Sequence, residues 1–280
     1  MKTISTIPEL RTQISDWRSI ALVPTMGNLH AGHLSLVEQA LSVAERVVVS
    51  IFVNPLQFGV GEDYQTYPRT FEADCEKLEQ IGTDLLFTPS LTDIYPAGME
   101  ATSYVTVPGL SNVLCGASRP SHFSGVATVV NILFNLVQPD KALFGQKDYQ
   151  QLVIIKRMVA DLLMPIEIIG VPIVREADDL AMSSRNQYLS KEQRAIAPRL
   201  FQTIDNIRIQ IQSGERNYTL LENEAMQRLA DAGFKPDYVA VRQAQTLDLP
   251  TAADKDLVIL AAAWLGKARL IDNRVASYEQ

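Results

Sequence analysis

Ile20-Ala21-Leu22-Val23-Pro24-Thr25-Met26-Gly27-Asn28-Leu29-His30-Ala31-Gly32-His33 runs from an apolar stretch through a turn into the start of a helix. Its first four residues are apolar in unbroken succession, the signature of a parallel strand buried on both faces. Beyond the turn, Leu34, Val37, Leu41 and Ala44 recur at helical spacing, so one stripe of that helix faces a sheet. The alternation continues down the chain. Runs 47–53, 85–87, 142–144 and 166–174 read as further buried strands, and Leu152, Ile155, Val159 and Leu162 mark a later amphipathic helix. Strands alternating with helices predict an α/β domain, a doubly wound, Rossmann-like parallel sheet over residues 1–174.

After residue 174 the pattern changes. A polar stretch, 175–194, precedes a long helix repeating at Ile196, Leu200, Ile204, Ile207 and Ile211. A second helix over 218–232 follows, then strand-like runs at 237–241, 257–263 and 269–272. The expectation is a smaller C-terminal α+β domain over 175–280. No internal repeat or low-complexity segment is present.

Composition narrows the function. With 280 residues, 47% hydrophobic and 20% charged, the chain is that of a globular protein. Its longest nearly apolar stretches, 126–137 and 257–265, fall short of the roughly 20 residues that span a bilayer, and the N-terminus lacks a secretory core. The protein is expected in the cytoplasm, with no membrane partner. A formal charge of −7 argues against a general nucleic-acid surface, which needs basic patches. Cys75 and Cys115 have no CxxC spacing and suggest neither a disulfide nor a zinc site.

Ligands in open α/β sheets bind outside the carboxyl ends of the strands. At the first such end, His30 and His33 flank Gly32 where a helix begins, and there free N–H groups and the positive helix dipole attract anions. Imidazole donors complete a phosphate site, and Gly27 and Gly32 let a ligand approach. Metal ligation fits less well, because HxxH lacks the glutamate of HExxH. The second end offers Asn54 and Gln57, amides suited to hydroxyls and carboxylates. The fourth offers Gly145, Gln146, Lys147 and Asp148, with Gln151 one turn onward. Lys147 brings a point charge for phosphate, and Asp148 a helix cap or an acceptor for a ribose hydroxyl. Last, Met182-Ser183-Ser184-Arg185-Asn186 carries two hydroxyls and a guanidinium on a loop, approached by a flexible polar segment 175–181. His122, in Ser118-Arg119-Pro120-Ser121-His122-Phe123, reads equally as a loop histidine with a structural hydrogen bond. No GxxxxGK[ST] or GxGxxG motif is present, which disfavours kinase-type and dinucleotide-type binding.

The HxGH turn with a downstream SSRN loop resembles the nucleotidylyltransferase and class I aminoacyl-tRNA synthetase superfamily, whose second signature is a KMSKS-type loop. More closely, PTMGNLHAGH, SIFVNPLQFG, YPRT, SRPSHF, FGQKDYQQ, MSSRN and AAAWLGKARLIDN, in this order, resemble the pantothenate synthetase family. The resemblance implies ATP-dependent condensation of pantoate with β-alanine through a pantoyl-adenylate, with release of AMP and pyrophosphate and a requirement for Mg2+. It implies that Met26, Gly27, Asn28, Leu29, His30, Ala31, Gly32 and His33 bind ATP, with His33 in a proton-donor role. It places Gly145, Gln146, Lys147, Asp148, Val174, Met182, Ser183, Ser184 and Arg185 on ATP too, the last four on a loop acting as a lid. Gln57 would contact pantoate and later β-alanine, and Gln151 pantoate, with Pro24 and Asn54 in the same pocket. A homodimer is implied, and the magnesium ligands stay unassigned. The family usually has glutamate where this chain has Gln146.

The residue chemistry agrees with these expectations. A carboxylate attacking an α-phosphorus approaches an anion, so charge on the phosphates must be neutralised. His30, His33, Lys147 and Arg185 are the catalytic candidates of suitable type. Two other readings compete: a nucleotidylyltransferase passing a nucleotide to a phosphorylated acceptor, and a silent nucleotide-binding or RNA-associated module. Neutral Gln57 and Gln151 suit a hydroxy acid better than a phosphate, and the acidic balance disfavours RNA.

Overall fold

The computed structural model describes residues 1–59 and 61–277. By its internal contacts the chain divides into two compact units: 1–146 with 154–172, and 147–153 with 173–280. A single cut near residue 174 is therefore not the observed division, since 147–153 groups with the second unit.

The first unit is built on a six-stranded sheet, β1 (Lys2–Ile4), β2 (Ile20–Thr25), β3 (Arg46–Ile51), β4 (Leu85–Phe87), β5 (Lys141–Gly145) and β6 (Glu167–Val171), in the order β1-β4-β3-β2-β5-β6. Every pairing is parallel. The helices are α1 (Ile7–Ile14), α2 (Ala31–Val43), α3 (Phe71–Gln80), the short α4 (Leu91–Ile94) and α5 (Cys115–Ser118), α6 (His122–Val137) and α7 (Tyr149–Asp161), whose first residues lie in the second unit. Strands β2 and β4 are buried almost throughout, which is why their sequences show no alternation. On α2 the buried face is Leu36, Val37 and Ala40, rotated from the expected stripe, with Leu41 and Ala44 packed at its margin. The expected Leu162 is 51% exposed: α7 ends at Asp161, so Leu162 lies outside its buried stripe.

Sheet order reverses at β2, which has β3 on one side and β5 on the other. Ile20 turns its backbone toward β5, accepting from the Asp140 amide at 2.9 Å and donating to the Asp140 carboxylate at 2.7 Å. By the two-residue period of a strand, Leu22 and Pro24 face the same way. Pro24 has no N–H to give, and the β2–β5 pairing covers only Ala21 and Leu22. The ladder between the two strands therefore ends short of their carboxyl ends, beside the switch point where α/β sheets bind ligands.

The second unit carries an antiparallel sheet, β7 (Lys235–Gln243), β8 (Asp256–Leu265) and β9 (Ala268–Ser277), with β8 central. Leu265 pairs with Ala268 across a two-residue turn in which Gly266 has φ +59°. The expected long helix is two: α8 (Lys191–Ile196) and α9 (Arg199–Gln212). Pro198 breaks it, since its ring cannot continue the i to i−4 ladder, and it stands instead at the start of α9. Leu200, Ile204, Ile207 and Ile211 of α9, with Leu221, Ala225 and Leu229 of α10 (Tyr218–Asp231), bury against Val239, Val241, Leu257 and Ile259. Among the described residues no helix is long and apolar enough to cross a membrane. Neither Cys75 nor Cys115 is in a disulfide.

Candidate active site

The turn between β2 and α2 is a closed hydrogen-bonded structure. His30 is the N-cap of α2, its Nδ1 accepting from the Gly32 amide at 3.1 Å, while His33 Nδ1 accepts from the His30 amide at 3.3 Å. This is a capping box made by two imidazoles, whose ring centroids lie 4.1 Å apart. Because each Nδ1 accepts, each neutral ring carries its proton on Nε2 and presents a donor there. Gly27 at φ +78° and Asn28 at φ +50° bend the chain into the cap. Thr25 ties the bend to β3, donating from Oγ1 to the Ser50 carbonyl at 2.8 Å and accepting from the Gly27 amide at 3.2 Å.

Two residues absent from the sequence expectations hold this turn from α3. Asp74, 1% exposed, accepts from the Asn28 and Leu29 amides at 2.8 Å each and from Thr70 Oγ1 at 3.1 Å. Lys77 Nζ donates to the Leu29 carbonyl at 2.7 Å. A carboxylate and an ammonium one helical turn apart thus grip one peptide segment by both its donors and its acceptor. Asp74→Ala is expected to lower stability by about 2–4 kcal/mol, because two charge-assisted backbone bonds are lost in a buried place. Asp74→Asn, which keeps one acceptor oxygen, is expected to fall between; denaturant unfolding with parallel activity assays checks both. A cavity of about 320 Å³ adjoins the turn, lined by Met26, Gly27, Phe52, Tyr64, Arg69 and Asp74 among others.

Gln57 closes a short helical turn, 55–57, after β3. Its Nε2 donates to Met26 Sδ at 3.1 Å and its Oε1 accepts from Asn54 Nδ2 at 3.2 Å, so the structure brings Gln57 to the HxGH turn. Asn54 itself is 1% exposed and bonded within the protein, and stands behind Gln57. His122 opens α6, with Nδ1 2.7 Å from the Gln57 carbonyl oxygen and Nε2 3.0 Å from Arg119 Nη1. With Nδ1–H donating to the carbonyl, Nε2 accepts from the guanidinium. Arg119 also grips Glu62 through two bonds of 2.6 Å. Burial alone would raise the Glu62 carboxyl, but the hydrogen bonds and charge of Arg119 outweigh it and hold it below the ordinary range. His122 therefore supports the Gln57 backbone. Gln146, where glutamate is usual, donates from Nε2 to the Gly170 carbonyl of β6 at 3.4 Å, a bond a carboxylate cannot make.

In the second unit Lys147 lies 3.7 Å from Asp148, and its carbonyl accepts from Asn273 Nδ2 at 3.0 Å. The expected flexible segment 175–181 is an internally bonded hairpin: Arg175 bridges Ala181, the Glu176 amide donates to the Leu180 carbonyl at 2.8 Å, and the Met182 amide donates to the Val174 carbonyl at 3.0 Å. Val174 and Met182 are thereby adjacent. Ser183 caps a short turn, accepting from the Arg185 amide at 3.3 Å. Arg175 pairs bidentately with Asp272 at 2.8 and 2.9 Å and stacks over Phe201, 4.2 Å from the ring centroid. Burial pushes the Asp272 carboxyl up, and Arg175 pulls against it. The pair explains the late IDN run: Asp272 anchors the start of the hairpin, and Asn273 anchors Lys147. Gln151 belongs to this unit as well.

Comparison with known proteins follows the same lines. A family model described as pantoate-beta-alanine ligase matches residues 2–275. The pantothenate synthetase of Nitrosococcus oceani is 55% identical and that of Pseudomonas fluorescens (strain Pf-5) 57% identical, each over 98% of this chain and 97% of its own length. A solved pantoate-beta-alanine (pantothenate synthetase) structure from Thermus thermophilus superimposes with a TM-score of 0.93 at 46% identity, covering 98% of this chain and 99% of that one. The pantoate-beta-alanine ligase of Francisella tularensis, complexed with Beta-gamma ATP and beta-alanine, gives 0.83 at 34% identity, covering 98% and 97%. With fold and motifs matched from end to end, the chain belongs to the pantoate-beta-alanine ligase family.

Proposed function

We propose that the chain condenses pantoate with β-alanine at the expense of ATP, releasing AMP and pyrophosphate by way of a pantoyl-adenylate, and works in the cytoplasm. One observation carries this reading: in a member of this family, the His30–His33 capping box sits at the switch point of the sheet with its Nε2 donors set by the fold. Such donors, at a helix N-terminus, suit the phosphates of a nucleotide.

In the first step a pantoate carboxylate oxygen attacks the α-phosphorus and pyrophosphate leaves. His30, His33, Lys147 and Arg185 are assigned to neutralising the charge on the phosphates. Met26 to Ala31 with Gly32 line the nucleotide, together with Gly145, Gln146, Asp148, Val174, Met182, Ser183 and Ser184. Gln57 and Gln151 are assigned to the acid, Pro24 to the wall of its pocket, and Asn54 acts through Gln57. In the second step the amine of β-alanine attacks the acyl carbon and AMP leaves, which needs positioning and exclusion of water but no nucleophilic side chain. No acyl-enzyme forms, and an acylated protein trapped after quenching would contradict this. Magnesium is taken to enter with the triphosphate. Among the described residues no three His, Cys, Asp or Glu side chains converge as a cage, and magnesium ordinarily keeps phosphate oxygens and waters as ligands. A homodimer is part of this reading, and sedimentation velocity tests it.

The deciding experiment is pyrophosphate–ATP exchange with and without pantoate, in the absence of β-alanine. Exchange that depends on pantoate, followed by AMP release on adding β-alanine, is the expected result. A product that retains the nucleotide would establish the nucleotidylyltransferase reading instead.

A further inference from the structure

The amide of Gln57 has a direction that the surrounding protein dictates. Asn54 is fixed first. Its Nδ2 lies 3.1 Å from the Gly125 carbonyl, which only accepts, and its Oδ1 lies 3.3 Å from the Leu56 amide, which only donates. So oriented, the same Oδ1 also accepts from the Tyr95 hydroxyl, by a shorter bond of 2.7 Å in a buried place. Burial raises the Tyr95 phenol well above its ordinary range, so it remains a donor at any working pH. With Asn54 oriented in this way, the Gln57 atom facing Nδ2 at 3.2 Å must be the acceptor, Oε1. The N–H groups of Gln57 then point the other way, where their contact is Met26 Sδ at 3.1 Å, a weak acceptor that a substrate oxygen readily replaces.

We infer that Tyr95 is a positioning residue which, through Asn54, holds Gln57 as a hydrogen-bond donor toward carboxylate or hydroxyl oxygens of the acid substrate. This rests on the function proposed above and adds the polarity of the contact. Gln57 serves an oxygen-bearing group and not an ammonium, so the reacting amine of β-alanine is held elsewhere. Tyr95 escapes sequence reading because it lies far from the HxGH turn in the chain and reaches the site only through a buried amide.

Tyr95→Phe tests this, since it removes one oxygen and keeps a ring that packs 6.2 Å from Phe52. With Oδ1 of Asn54 left only the longer bond from the Leu56 amide, the KM for pantoate is expected to rise about tenfold while the KM for ATP stays within about twofold. Asn54→Asp, which keeps the acceptor and abolishes the Nδ2 donor, is expected to raise the pantoate KM at least as much. The double variant should be no worse than the more severe single one, because both act on one chain of bonds. An unchanged pantoate KM in Tyr95→Phe, or an equal rise for pantoate and ATP, overturns the inference. Gln57→Glu gives an independent check. If Gln57 donates, this variant loses pantoate affinity; a fall in the β-alanine KM would show instead an acceptor for the ammonium and overturn the assignment. Wild-type protein without pantoate-dependent exchange would overturn the proposed function itself, whereas an active wild type with an indifferent Tyr95→Phe overturns only this inference.

Discussion

Asp272→Ala is expected to cost the second unit about 3–5 kcal/mol of stability, because it leaves a largely buried guanidinium with only the Asp179 carbonyl, 2.8 Å away, as acceptor among the described residues. Arg175 has 15% of its side chain exposed and Asp272 2%, so water cannot take over the lost partner. Phe201 beneath the guanidinium fills space and accepts charge on its ring face but cannot replace two hydrogen bonds. The expected fall in thermal midpoint is about 6–20 °C. Replacing both members, Arg175→Met with Asp272→Leu, removes the uncompensated charge and is expected to be milder. That ordering separates a lost interaction from a stranded charge. Denaturant titration of the three proteins measures it, and a single variant as stable as wild type sinks the argument. Activity should fall further than stability in the double variant. Arg175 begins the hairpin that ends beside Met182, and Asn273, next to Asp272, fixes the Lys147 carbonyl.

The second large effect is expected in catalysis. His33→Ala removes both the Nε2 donor and half of the capping box. Loss of one preorganised donor to developing charge is worth about 2–4 kcal/mol, or about 30- to 1000-fold in the adenylate-forming step. ATP affinity should change much less, because the backbone donors of the α2 N-terminus remain. His33→Asn separates the two roles. A short amide can still accept from the His30 amide and so preserve the cap, but it does not reach where Nε2 did. Pyrophosphate exchange and ATP binding, measured on both variants, distinguish them: folding and binding near wild type with exchange still lost is the expected signature of His33→Asn. Unchanged turnover in His33→Ala removes the residue from the mechanism.

The order of strands and helices in the first unit is legible because buried parallel strands write themselves as unbroken apolar runs, and 20–23, 85–87 and 142–144 are such runs. β1 is not, since only Ile4 of its three residues is buried. Nor is α3, whose inward face includes the charge of Asp74; a buried carboxylate reads in sequence as a surface residue. The C-terminal helix pair reads as one long helix because Ile196, Leu200 and Ile204 keep helical spacing across Pro198, where the backbone cannot. For the site, the groups proposed to meet a ligand are visible by type and place in the sequence: His30, His33, Gln57, Lys147 and Arg185. The groups that hold the site together are not. Asp74, Lys77, Tyr95 and Asn273 act across 41 to 126 residues of chain, from the Tyr95 bond to Asn54 up to the Asn273 bond to Lys147, and spacing carries no trace of such partners. Asn54, also of suitable type, is buried and bonded to Gln57, a partnership its sequence position does not reveal.

The early end of the β2–β5 ladder has a further consequence. A ladder that stops because one residue lacks an N–H stops in every state of the molecule, with or without substrate, since no rotation of a side chain can supply the missing donor. The open edge at Pro24 is thus preorganised by covalent structure, and a ligand bound there would not have to separate paired strands. Pro24, expected at the wall of the substrate pocket, acts on the sheet through its peptide bond: an imino acid leaves this end of β2 unpaired toward β5.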